Sequence, residues 1–152
     1  MGAVEERLAG LGLSVPDVAK PVAVYTPSLR SGNHVFTSGQ LPMKDGELML
    51  SGKVGGEVDA DAAYECARQC GLNAIAAVKA EVGDLDLVKQ VVKVVVFVAS
   101  TPEFTGQPGV ANGVSELLGA AFGDAGVHAR SAVGVAALPL DAPVEVELVV
   151  EI

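Results

Sequence analysis

Apolar residues repeat along this chain with two different periods. Between Ala60 and Val82 they recur at steps of three and four, at Ala63, Ala67, Cys70, Ala74, Ala77 and Val78. That spacing gathers them on one face of a helix. Asp59 stands where an N-cap belongs and Asp61 falls in the first turn, so a helix is predicted from about Ala60 to Val82. At the C-terminal end the period is two. Val144, Val146, Leu148, Val150 and Ile152 share one side, and Glu145, Glu147, Val149 and Glu151 share the other. This is the pattern of a half-buried strand.

The remaining segments fit around these two. "AVEERLAGLGLSVP" predicts a short helix ending near Gly10 or Gly12. "PVAVYTPSLRSGNHVFTSGQLP" predicts two short strands joined at Ser31-Gly32-Asn33, and "KDGELMLSGKVGGEV" is turn-rich with room for another short strand. The β-branched run "LVKQVVKVVVFVAS" predicts a strand over 87–100, with Lys89 and Lys93 on one strand face because they lie four apart. "VANGVSELLGAAFG" predicts a second long helix stopped at Gly123, and "ARSAVGVAAL" a strand before the last one. No repeat or low-complexity linker interrupts the series. A single α+β domain over 1–152 is expected, a sheet with two helices on one face. The other face is left without a cover from this chain.

Composition sharpens that last point. Of 152 residues, 50% are hydrophobic and only 19% are charged, and the mean hydropathy is +0.43. The longest apolar runs, such as "VVVFVA" (94–99), are far shorter than the roughly 20 residues of a membrane-spanning helix. The surplus apolar surface is therefore assigned to an interface between subunits. The formal net charge of −9 repels phosphate backbones, which argues against nucleic acid as a partner. The N-terminus lacks the basic and apolar regions of a signal peptide, and a cytoplasmic protein is expected. Cys66 and Cys70, four apart in a helix, read as a reduced pair on a packed face; neither histidine shows metal-ligand spacing with them, so no metal site is expected.

Candidate chemistry concentrates late in the chain. Arg130 opens an otherwise apolar strand. At a strand end it can simply extend into solvent; inside a cleft it requires an anion. Glu145 is one possible counter-charge and a ligand carboxylate another, since a planar guanidinium binds a carboxylate through two parallel hydrogen bonds. Alternation alone accounts for Glu147 and Glu151 as the polar side of a strand. In "HVFTSGQLP", Gly39 after Ser38 lets a ligand approach the backbone closely.

Together these segments resemble the reactive intermediate deaminase A family, also called YjgF or L-PSP endoribonuclease. The resemblance runs from about Val22 to Ile152 and is carried by "ARSAVGVAALPLDAPVEVE", "FTSGQLP", Tyr25 thirteen residues before Ser38, "VKVVVFVAS", and Asn112 in "VANGVSELL". It implies a chorismate-mutase-like fold and a homotrimer whose sheets form a central barrel, with ligand clefts between subunits. In that pattern Arg130 binds a substrate carboxylate and Glu145 lies near the reacting carbon and a water. Ser38, Gly39, Asn112 and the backbone of Ala132 line the cleft, and Tyr25 closes it from an adjacent subunit. The chain departs from the family at Ala23-Val24-Tyr25-Thr26-Pro27, where relatives carry Gly-Pro-Tyr-Ser-Gln, and at Ala132, where Cys or Thr is frequent. It also has an N-terminal extension over 1–20 and a longer approach to the second helix at 105–109.

The activity implied is cofactor-free hydrolysis of 2-imino or enamine acids to 2-keto acids and ammonia. The alternative is a non-catalytic trimer that binds a small carboxylate as a sensor, which needs Arg130 but not Glu145. A ribonuclease reading conflicts with the acidic charge and with the lack of a His or Lys catalytic cluster.

Overall fold

A computed structural model describes residues 1–18, 20–21 and 23–152. Helix α1 spans Ala3–Gly10; strands β1 (Ser28–Ser31) and β2 (His34–Thr37) form a hairpin; β3 (Met43–Lys44) and β4 (Glu47–Leu48) form a second, small one. Helix α2 (Ala60–Val82) leads to β5 (Gln90–Ala99), and helix α3 (Gln107–Phe122) to β6 (Ala129–Val135) and β7 (Val144–Glu151). The main sheet has the order β1-β2-β7-β5-β6. All its pairings are antiparallel except β5 with β6. The α+β class, and two long helices on one sheet face, agree with the sequence reading.

Helix α2 begins where the pattern predicts. The Asp59 side chain accepts the Ala62 N–H at 2.8 Å, which satisfies one of the orphan donors of the first turn. All six of its periodic positions are buried. Their small size lets α2 lie close to the sheet and to α3. Glycines set the helix–helix distance: a Cβ on Gly113 would sit 2.1 Å from the Tyr64 carbonyl oxygen, and one on Gly71 2.6 Å from Val114 Cγ2. Below the helices, Val94, Val96 and Val98 of β5 pair with Leu148, Val146 and Val144 of β7, and all six are buried.

Three expectations need adjustment. Helix α3 starts at Gln107, not near Val110, because Pro108 lies in its first turn, where no backbone N–H is required. Its first turn thus absorbs part of the 105–109 segment. Lys89 and Lys93 do not share a strand face. Lys89 precedes β5, and the register shifts between Val91 and Lys93, so a bulge breaks the alternation there. The N-terminal segment is also well docked. Both Asp86 carboxylate oxygens accept N–H groups of the α1 first turn, from Ala3 at 2.8 Å and Val4 at 3.0 Å, and Val4 and Leu8 are buried in the common core.

No described element covers the second sheet face. It presents Leu29, Phe36 and Val133, exposed by 60%, 45% and 44%, beside partly buried Val95, Phe97 and Val149. Glu145, Glu147 and Glu151 share this face. No described helix is long and apolar enough to cross a membrane.

Candidate functional site

The seven residues singled out in the sequence fall into two groups. Arg130, Asn112 and Ala132 form the first, at the junction of β6 and α3. Arg130 pairs in register with Val94 and Ala132 with Val96, so both belong to the helix-covered face. β6 is the edge of the sheet, and the Arg130 side chain reaches α3. Its Nη1 donates to Asn112 Oδ1 at 2.8 Å and to Ser115 Oγ at 3.1 Å. Both protons of Nη1 are then committed. The Nε proton and the two on Nη2 have no partner among the described residues, and Nε–H with its neighbouring Nη2–H forms the parallel pair that a carboxylate accepts. No carboxylate within the described residues lies in ion-pair range of Arg130. Neutral partners hold the guanidinium in place and leave its charge uncompensated.

Glu145, Gly39, Ser38 and Tyr25 form the second group, built on β7 and the end of β2. Glu145 pairs in register with Phe97 and so points to the uncovered face. Gln40 and Val146 exchange backbone hydrogen bonds at 2.8 and 3.0 Å, which sets Gly39 directly against the Glu145 side chain. A Cβ on Gly39 would stand 2.0 Å from Glu145 Oε1. The glycine is needed here for close approach, the role anticipated for it, although the group admitted is this protein's own carboxylate. Ser38 donates through Oγ to the Thr26 carbonyl at 2.6 Å and through its backbone N–H to the Pro27 carbonyl at 2.8 Å. It thereby fixes the segment that carries Tyr25, which is itself exposed.

The pairing of Arg130 with Glu145, one of the two partners considered for the arginine, does not form within a chain. β5 lies between β6 and β7. Along it, Arg130 matches Val94 and Glu145 matches Phe97, positions of opposite parity, so the two side chains leave opposite faces of the sheet. Burial raises the Glu145 pKa above the usual carboxylate value, and the neighbouring Glu147 charge pushes it the same way. Both effects disfavour the charged form, so the carboxyl holds a proton more readily than a free glutamate does.

Two residues of the first group escaped the sequence reading. Ser115 shares the helix face of Asn112 three positions on, and His128 stands just before β6, two residues ahead of Arg130. The His128 ring joins Ser115 Oγ at 2.8 Å through Nε2 and the Gly126 carbonyl at 2.6 Å through Nδ1. The three-residue spacing of Asn112 and Ser115 in a helix was the available signal. Cys66 and Cys70 are free and buried. Burial raises Cys66 to about 11 and Cys70 well above the ordinary thiol value, so neither supplies a ready nucleophile at neutral pH.

The sequence and the fold both have known relatives. Residues 5–152 match the family model described as "YjgF/chorismate_mutase-like, putative endoribonuclease". The match begins inside the segment expected to be an extension. The chain is 43% identical over 152 residues to Protein TCP17 of Trypanosoma cruzi, covering 99% of this chain and 95% of the relative. It is 32% identical over 141 residues to a 2-iminobutanoate/2-iminopropanoate deaminase of Dermatophagoides farinae, covering 92% and 94%. The crystal structure of the protein Atu1372 from Agrobacterium tumefaciens, of unknown function, superposes with a TM-score of 0.93 at 44% identity, covering 99% of this chain and 93% of that one.

Proposed function

Because the chain belongs to the YjgF/chorismate-mutase-like family, we propose that it hydrolyses reactive 2-imino and enamine acids to 2-keto acids and ammonia. The observation that carries this reading is the state of Arg130: a cation held by neutral partners, with its carboxylate-binding edge uncommitted. A small 2-imino acid offers a carboxylate to that edge and an electrophilic C2 one bond away. Fixing the carboxylate orients C2 and removes much of the entropic part of the barrier.

The second group supplies what the chemistry then needs. Glu145 accepts a proton from water as the oxygen adds to C2 of the protonated imine and passes it to the nitrogen of the carbinolamine; as the C–N bond breaks, the carbinolamine hydroxyl gives its proton to Glu145, leaving the 2-keto acid and ammonia. The imine carbon is already electrophilic, so this scheme calls for no cofactor or metal. Asn112 holds Arg130, Ala132 offers its backbone along the exposed edge of β6, and Tyr25 covers the cleft.

Arg130 and Glu145 leave opposite faces of one sheet, so a complete site on this reading is shared between copies of the chain. The apolar uncovered face with Leu29, Phe36 and Val133 is the surface that would bring them together, in a homotrimer of about 46 kDa from chains of 15.4 kDa. A rotation that repeats this contact and closes puts β6 of each copy beside Glu145 of the next.

The test is ammonia release from imino acids generated in situ by an amino-acid oxidase. The wild-type protein should accelerate release over the spontaneous rate, and Arg130→Ala should not. No acceleration by an intact, assembled wild-type protein would leave carboxylate binding without turnover. Light scattering that showed a monomer at micromolar concentration would remove the shared site altogether.

A further inference from the structure

We infer that Ser115 and His128 are positioning residues for Arg130, joined in a one-directional hydrogen-bond chain that holds the guanidinium edge ready for the substrate carboxylate. The inference rests on the reading of Arg130 as the carboxylate anchor and adds to it the device that aims the anchor.

The direction of the chain follows from proton counting. The Gly126 carbonyl can only accept, so the 2.6 Å contact requires a proton on His128 Nδ1. In the neutral ring Nε2 is then an acceptor. Ser115 Oγ, 2.8 Å away, gives it the hydroxyl proton. With that proton committed, the Ser115 oxygen faces Arg130 as an acceptor, and it receives Nη1–H at 3.1 Å. Every bond from the guanidinium to the backbone donates in the same sense, so each polarises the next.

The far end of the chain is rigid. Gly126 is buried, and a Cβ there would lie 2.2 Å from the Leu118 carbonyl oxygen. The Gly126 backbone is therefore pressed against α3, the helix that carries Asn112 and Ser115. Arg130 sits on an edge strand with a long side chain and many accessible rotamers. Two acceptors on one nitrogen, one of them backed by His128, select the rotamer in which Nε and Nη2 remain open. The charged residues on the elements packed here do not intervene. Glu116, next to Ser115 on α3, accepts a hydrogen bond from the Tyr64 hydroxyl on the outer side, and Asp124 of the turn before β6 is exposed.

A double-mutant cycle on the purified, assembled protein tests this, with 2-oxobutanoate as the probe and calorimetry as the readout. Ser115→Ala should weaken binding about fivefold, the net scale of one ordinary hydrogen bond, because Asn112 still holds the guanidinium. Ser115→Thr should restore most of it, because the hydroxyl returns. In the Arg130→Ala background, Ser115→Ala should have no further effect. In turnover, Ser115→Ala should raise KM and leave kcat nearly unchanged, as expected for an interaction equal in ground and transition states. Equal weakening by Ser115→Ala with and without Arg130 would make the serine merely structural and overturn the relay, as would no effect on affinity in the Arg130 protein. If Arg130→Ala alone leaves 2-oxobutanoate affinity intact, the carboxylate reading fails and the relay fails with it.

Discussion

The Arg130 corner and the Glu145 corner solve opposite problems. At Arg130 a charge is kept fully available. It lies on an edge strand, its partners are neutral, and one side of the guanidinium is left open. At Glu145 a charge is discouraged. The carboxylate is half-buried against Gly39, a second carboxylate stands nearby, and its pKa rises. The first arrangement suits binding an anion; the second suits exchanging a proton. The two leave opposite faces of one sheet because β5 lies between their strands, so within one chain each is built without contact with the other.

The largest expected effect separates the halves by function. Glu145→Gln keeps shape and removes the proton acceptor, so kcat for imine hydrolysis should fall about 100-fold or more, while 2-oxobutanoate affinity stays close to wild type. Arg130→Ala should show the converse in binding, losing at least about tenfold in affinity, or ~1.4 kcal/mol. Arg130→Lys should recover only part, since it returns the charge without the fork. Wild-type turnover in Glu145→Gln would favour a ligand-binding sensor over a hydrolase.

A smaller and more specific effect is expected from Gly39→Ala. The new methyl would meet the end of the Glu145 side chain, which can rotate away, and not the backbone. Turnover should fall about tenfold as the carboxylate is displaced from its working geometry. Thermal stability should change by only a degree or two. A large loss of stability would mean that Glu145 is wedged and cannot move, and that Gly39 serves the fold first.

Mixing the two inactive proteins sharpens the comparison further. Arg130→Ala and Glu145→Gln chains, unfolded together and refolded at equal amounts, should regain about a quarter of wild-type activity. In a cyclic trimer with random assortment, that is the chance that one contact joins an intact Arg130 to an intact Glu145. Recovery of none would place both residues in the same chain's site, against their opposite orientations, or deny them a common site.

Much of this was legible in the residues, and the failures have physical reasons. The 3.6 period of α2 and its Asp59 cap fixed both ends of that helix, because small apolar residues on one face and polar ones on the other leave little ambiguity. The bulge after Val91 was not legible. Val91, Val92, Val94, Val95 and Val96 are alike, so alternation carries no signal through that run. The 105–109 segment read as a longer approach to the second helix, although Pro108 is accepted in a first helical turn. Arg130, Asn112, Gly39 and Glu145 could each be singled out as a candidate from its own segment. Whether Arg130 meets Glu145 was out of reach, since it depends on β5 inserting between their strands, a long-range pairing that local pattern does not encode. Ser115 and His128 were passed over because one polar residue on a helix and one histidine before a strand acquire meaning only when packing brings them together.

The smallest expected effect concerns stability and follows from the raised Glu145 pKa. A carboxyl whose folded pKa lies above its unfolded one favours the folded state most when protonated. Its contribution is fully present below the unfolded value, near the ordinary 4.5 of glutamate, and is lost as pH rises through the higher folded value. At neutral pH the wild-type protein therefore carries a half-buried charge that Glu145→Gln does not. The variant should melt at or slightly above the wild-type temperature at pH 7, and the gap should close as pH falls toward 4.5. Glu147→Gln should move the wild-type curve the same way by less, because it relieves the repulsion and leaves the burial. Melting curves of the three proteins across pH 4.5–8 decide the matter. A Glu145→Gln protein that is less stable at pH 7 and recovers on acidification would mean that the charged form is held by a favourable partner, such as a cation of a neighbouring copy. The Glu145 corner would then resemble the ion pair that the chain alone does not form.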